Sequence, residues 1–293
     1  MSLFTGSGVA IVTPFTETGV NYEVLEKLIE FHISNHTDCI VICGTTGEAS
    51  TMTDEEQLEC IRFTVEKVNK RVPVIAGTGS NYTEHALHLT RKAEEVGADA
   101  ALIVTPYYNK TTQKGLYEHY AYIANNVKIP IVLYNVPSRT GIAIEPTTAA
   151  QLAEIENIIA VKEASGNIST ITEMMALCGD KLDLYSGNDD QVVPLMSIGG
   201  KGVISVAANI VPRDLHDLVQ KFMDGDLAGS RKMQLDMMPL NKALFSEVNP
   251  IPVKEAMNIL GMEAGPCRLP LTSMDDSNRD KLMGAMQDYG LKF

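Results

Sequence analysis

The sequence predicts an α/β chain: a closed (β/α)₈ barrel of the TIM type over residues 1–224, followed by a helical extension over 225–293. Three observations lead there. Eight short β-rich runs recur up to Val206, and most are continuously apolar rather than alternating, as parallel strands covered on both faces are. Segments with helical apolar spacing separate them, the alternation that builds a barrel. Beyond about Pro212 no strand signal recurs and helices dominate. The competing arrangement, an open doubly wound sheet, usually has fewer strands.

The strand runs are, in order, Val9–Thr13, Cys39–Cys43, Val72–Ala76, Ala101–Thr105, Ile129–Tyr134, Ile158–Val161, Leu182–Tyr185 and Gly202–Val206. Between them, helical spacing covers Tyr22–Ser34, Thr83–Val96, Leu116–Asn125, Thr147–Glu156 and Ile168–Leu177. Thr53 with Glu56 three residues on forms a capping box, opening a helix that runs to about Asn69. Gly97 is placed to stop the helix before it. Asp214–Met223 completes the barrel, and Asp226–Phe245, Val253–Leu260 and Ser277–Tyr289 form the extension. Met233, Met237 and Met238 there read as packing.

The chain has 293 residues, 45% hydrophobic and 21% charged, with a formal net charge of −13. Phosphate backbones and anionic membranes demand clustered Lys and Arg, so nucleic acid and membrane are poor partners. A small anionic substrate needs only one or two placed cations. No apolar run approaches the roughly 18 residues of a spanning helix, and Met1–Gly6 lacks the basic and apolar regions of a secretory leader. Cys39, Cys43, Cys60, Cys178 and Cys267 are odd in number and scattered. They fit reduced, mostly buried thiols in a cytoplasmic protein.

In a (β/α)₈ barrel, chemistry sits on the loops that follow the strands. The reactive residue types collect there. Gly44-Thr45-Thr46-Gly47-Glu48 follows the second strand and Thr105-Pro106-Tyr107-Tyr108-Asn109 the fourth. Tyr134-Asn135-Val136-Pro137-Ser138-Arg139-Thr140-Gly141 ends the fifth, and Ser186-Gly187-Asn188-Asp189 the seventh. Lys162 closes the apolar run Ile158-Ile159-Ala160-Val161 of the sixth. Burial disfavours the charged form of an amine, and a neutral amine can attack a carbonyl to form a Schiff base. Taken singly, each residue has a plain explanation: a lysine stem that packs while its head reaches water, a tight turn, a strand-end ring, a surface cation. With Ile204 and Ser205 on the eighth strand, six such strand ends on one rim favour chemistry.

Other motifs carry less. Gly77-Thr78-Gly79 opens like a dinucleotide fingerprint but lacks the third glycine, and Gly199-Gly200-Lys201-Gly202 lacks the Walker spacing. His85 and His88 share a helix face without an evident third metal ligand.

The Gly44, Tyr134 and Lys162 motifs, with Gly199–Ser205 and Asn249-Pro250-Ile251-Pro252-Val253-Lys254, resemble the dihydrodipicolinate synthase family across essentially the whole chain. That family lies within the pyruvate-dependent class I aldolases and lyases. Arg139 points to the synthases rather than to the sister N-acetylneuraminate lyases. The resemblance implies a lyase that condenses pyruvate with L-aspartate 4-semialdehyde in diaminopimelate and lysine biosynthesis, with no cofactor and no metal. Lys162 would form the imine and Tyr134 would transfer protons. Thr45 and Tyr108 would complete a hydroxyl relay, with Tyr108 supplied by a neighbouring subunit. Thr46 would hold the pyruvate carboxylate, with the backbone of Gly187 and Ile204 nearby, and Arg139 would take the semialdehyde carboxylate. A homotetramer, a dimer of dimers, is expected.

Members inhibited by lysine use an interface pocket near these loops. This chain has Asn81 and Tyr107 there, but Asp54 and Gln57 replace expected histidines and His85 an expected glutamate, so weak or absent lysine feedback is expected. A related sugar-acid aldolase or N-acetylneuraminate lyase is the alternative enzyme. A non-catalytic keto-acid-binding barrel is the alternative of another class.

Overall fold

A computed structural model describes residues 2–293. Eight parallel strands close into a barrel: Gly6–Ala10, Cys39–Ile42, Val74–Gly77, Ala100–Val104, Ile131–Asn135, Ile158–Glu163, Asp183–Ser186 and Gly202–Ser205. Each pairs with the next in sequence, and the first closes against the eighth. The strands are buried almost throughout, which is why their sequences run apolar without alternation. The barrel is therefore the one the sequence predicts.

The helices fall close to their expected places. Thr53 and Glu56 cap reciprocally: the Glu56 amide donates to Thr53 Oγ1 at 3.2 Å and the Thr53 amide to Glu56 Oε2 at 3.1 Å. The helix they open spans Asp54–Val68 and stops where Asn69 turns left-handed.

Three differences stand out, and the first two have direct physical causes. The first strand starts at Gly6, ahead of the expected Val9–Thr13. Gly-Ser-Gly has little β propensity, yet a Cβ on Gly6 would lie 2.0 Å from Asp38 Oδ2, and that carboxylate accepts from the Ser7 amide at 2.7 Å. The expected helix Asp226–Phe245 is two helices, Leu227–Asp236 and Met238–Leu244. Pro239 has no amide to continue the ladder. Short elements went unforeseen, among them the hairpin of Phe15–Thr16 with Gly19–Val20 and the helix Val192–Met196.

The extension continues through Ile251–Ile259 and Asp276–Tyr289. Its Met237, Leu240, Met257 and Leu282 join Val9, Ile42 and Val203 of the barrel in one apolar cluster. Two fully buried side chains, Lys254 and Glu48, pair at 2.8 Å across that boundary. Lys254 also donates to the carbonyls of Thr13 and Pro266. Burial pulls its pKa down, and the Glu48 charge opposes that. Four of the cysteines are buried, and all five are free thiols. Among the described residues, no helix is long and apolar enough to cross a membrane.

Candidate active site

Register sets the site. Tyr134 is the Cα partner of Lys162 across the fifth and sixth strands, and Asn135 is the partner of Glu163. Side chains alternate along a strand, so one pair faces the barrel interior and the next faces the helices. Lys162 is 5% exposed and Tyr134 7%. Lys162 Nζ lies 4.4 Å from the centroid of the Tyr134 ring. On the outward face, Asn135 Nδ2 donates to Glu163 Oε2 at 2.7 Å, and the Ser165 amide donates to Glu163 Oε1 at 2.6 Å. Burial pushes the Glu163 carboxyl up, opposed by these donors. The two strand ends are thereby clamped behind the lysine and tyrosine.

The Gly44–Glu48 loop approaches the same rim. Cys43 and Glu48 take left-handed backbone conformations, at φ 56° and 54°. The turn fits only because Gly77 ends the neighbouring strand: a Cβ there would sit 2.0 Å from the Cys43 carbonyl oxygen. Gly79 likewise lies against the Val104 amide. These glycines are packing devices, as their incomplete fingerprint implied.

A cleft of about 370 Å³ opens at this end, lined by Thr45, Tyr134, Val136, Arg139, Tyr107 and their neighbours. Arg139 rides on a one-turn helix, Pro137–Thr140, with proline at its start and Gly141 left-handed at its end. Its guanidinium is exposed, and Nη2 donates to the Asn249 carbonyl at 3.2 Å. Thr46 is buried, and its hydroxyl accepts from Asn249 Nδ2 at 3.0 Å. A Cβ on Gly187 would stand 3.2 Å from Lys162 Cε and 2.7 Å from Ala164 Cβ. Ile204 is fully buried and packs with Tyr134 and Tyr185 inside the barrel.

Seven of the eight expected site residues therefore sit on or beneath one rim. Tyr108 does not join them: it is 91% exposed, in a left-handed conformation at φ 70°. Both ring nitrogens of His85 are engaged by protein groups. Its Nε2 is 2.9 Å from Asp54 Oδ1 and its Nδ1 3.0 Å from Ser80 Oγ, at the far side of the same cleft.

Sequence reasoning missed two residues. Asn249 sits in the extension, far along the chain from Thr46 and Arg139. Asp189 was noticed only as part of a polar turn. It is 3% exposed, and its Oδ2 accepts from the Val206 and Ala207 amides at 3.0 and 2.9 Å, tying the seventh strand end to the eighth. Burial pushes its carboxyl up, opposed by those donors, the Ser205 hydroxyl and the Lys162 charge. A buried acidic residue after a strand was the available signal for Asp189. For Asn249 the sequence offered only its place at the head of the Asn249–Lys254 motif, with no chemistry attached.

This rim can do carbonyl chemistry on small anions: a buried amine, a phenol against it, hydroxyls on one side and a guanidinium at the mouth. Comparison with known proteins agrees. The model of the dihydrodipicolinate synthetase family matches residues 3–289. The chain is 64% identical over 289 residues to the 4-hydroxy-tetrahydrodipicolinate synthase of Acetivibrio thermocellus, covering 99% of this chain and 98% of that one. It is 58% identical to the synthase of the same name from Lachnoclostridium phytofermentans, over 99% of this chain and 100% of that one. The crystal structure of dihydrodipicolinate synthase from Aquifex aeolicus superposes with a TM-score of 0.96 at 49% identity, over 98% of this chain and 99% of that one. With the barrel, the lysine–tyrosine pair and the matched span in agreement, this chain belongs to the dihydrodipicolinate synthetase family.

Proposed function

We propose that the protein is a lyase acting as a 4-hydroxy-tetrahydrodipicolinate synthase, joining pyruvate to L-aspartate 4-semialdehyde through an imine on Lys162. The observation that carries this reading is the Lys162–Tyr134 pair, buried at the C-terminal rim with Thr45 and Arg139 in the adjoining cleft.

Lys162 Nζ adds to the ketone carbon of pyruvate, and loss of water gives the imine. Its protonated nitrogen draws electrons as a methyl proton leaves, producing an enamine. The enamine carbon attacks the aldehyde carbon, whose oxygen takes up a proton. The semialdehyde amine then adds to the imine carbon and displaces Lys162, closing the ring and restoring the free amine. Tyr134 is placed to carry protons for imine formation and cyclisation, relayed through Thr45. Thr46 holds the pyruvate carboxylate beside the Gly187 and Ile204 backbone, and Arg139 binds the second carboxylate, where a planar fork suits bidentate pairing.

Tyr108 is turned outward on its own chain, which fits delivery into a neighbouring site. Tyr108 of the partner subunit then completes the relay in a homo-oligomer, a dimer of dimers. Residues 1–224 carry the reaction, and the extension braces the Gly44–Glu48 loop. Free thiols and a biosynthetic reaction suit the cytoplasm.

Borohydride reduction in the presence of pyruvate, read by mass spectrometry, tests the chemistry. A pyruvyl adduct on Lys162 is expected, and none in Lys162→Ala. Absence of the adduct in the parent protein overturns imine catalysis. Trapping without consumption of the semialdehyde points to a related aldolase instead.

A further inference from the structure

The helical extension reaches Thr46 and Arg139 of the reaction rim through Asn249. Asn249 lies between Met238–Leu244 and Ile251–Ile259 and is 6% exposed. Its side chain meets Thr46 and its main-chain carbonyl meets Arg139. The same extension holds the same loop a second time, through Lys254 on Glu48.

The direction of the Thr46 bond matters. In this structure the Asn249 side chain turns its nitrogen to Thr46, so Thr46 Oγ1 accepts at 3.0 Å, while the buried Asn249 Oδ1 has no partner among the described residues. That is the only hydrogen bond the Thr46 hydroxyl makes among the described residues, so its own proton has no protein acceptor. A hydroxyl that already accepts is also a better donor, because chained hydrogen bonds polarise one another. A buried hydroxyl in that state is set to donate to an anion.

We propose that Asn249 is a positioning residue that fixes the hydrogen-bond polarity of Thr46 towards the keto-acid carboxylate, while its carbonyl orients Arg139 for the second carboxylate. One residue of the extension thereby aligns both anion sites through two separable groups, a side-chain amide and a main-chain carbonyl. This rests on the reading that Thr46 and Arg139 bind those carboxylates.

Asn249→Leu removes the amide donor at similar volume and keeps the carbonyl. The expected result is a pyruvate KM raised about fivefold or more, with the semialdehyde KM within twofold and kcat within threefold. Thr46→Val raises the pyruvate KM by itself, and adding Asn249→Leu to it changes nothing further. Asn249→Ala is read the same way if the leucine variant does not fold. An unchanged pyruvate KM in the Asn249 variants, a rise in both KM values together, or effects that multiply in the double variant would each overturn the inference alone. An unchanged pyruvate KM in Thr46→Val overturns the carboxylate role of Thr46, and the inference with it.

Discussion

Lys162 Nζ stands 4.4 Å from the centre of the Tyr134 ring, and the two residues are direct partners across adjacent parallel strands. Backbone hydrogen bonding sets their spacing, so neither loop motion nor side-chain length has to bring them together. A phenol and an amine held this way need little reorganisation to act together.

Tyr134→Phe tests that pairing. It keeps the ring against the lysine and deletes only the hydroxyl. Turnover should fall by roughly 10²–10⁴-fold, the usual range for a lost proton-transfer group, while the barrel melts as before. A fall below threefold removes Tyr134 from the proton path.

Gly187→Ala probes the space around the nucleophile. The new methyl would press on Lys162 Cε at 3.2 Å and on Ala164 Cβ at 2.7 Å. Displacing a reacting group by about 1 Å can cost on the order of 10²-fold, so imine trapping and turnover should both drop steeply. Full activity in a correctly folded variant would show that the lysine has room to spare.

Lys254→Met removes the ion partner of Glu48 in a fully buried position and leaves its carboxylate only the Arg268 amide among the bonds described. Breaking such a pair typically costs about 3–5 kcal/mol, read as a lower melting temperature. Adding Glu48→Gln should recover part of the loss. If the double variant is no better than the single, the ion pair is not the cause.

Acid should destabilise the protein through buried histidines. Burial holds His119 down at about 4, below the ordinary 6.5. A group depressed in this way contributes stability above pH 6.5 and loses it as pH falls towards 4. By pH 5 the loss from His119 is about 2 kcal/mol. Glu163 and Asp189, with carboxyls pushed up by burial, oppose this trend, so the readout is a difference. His119→Gln should lose less melting temperature than the parent between pH 7 and pH 5. Equal losses refute the assignment.

Lysine should inhibit weakly or not at all. The Asp54 carboxylate, on the cleft wall, is already engaged by His85, and the other His85 ring nitrogen faces Ser80. Among the described residues lining the cleft, no carboxylate is left free to grip an ammonium group. Strong inhibition of initial rates by submillimolar L-lysine would contradict this.

The barrel was legible because parallel strands buried on both faces must be apolar throughout, and helices between them must carry one apolar side. Thr53 and Glu56 announced their helix through cap chemistry alone, and Pro239 carried a break that spacing passed over. The placing of the rim residues was legible too: Lys162 and Tyr134 lie at the ends of buried strands, where such side chains are costly without a use, and Arg139 follows on the loop after the fifth strand. Side-chain partners were not. That Asn135 braces Glu163, that Lys254 neutralises Glu48, and that Asn249 touches both Thr46 and Arg139 depends on barrel closure and on where the extension docks. Local pattern reports what a residue needs from its environment. Only the folded chain, which brings together groups some two hundred residues apart as with Thr46 and Asn249, decides which group supplies it.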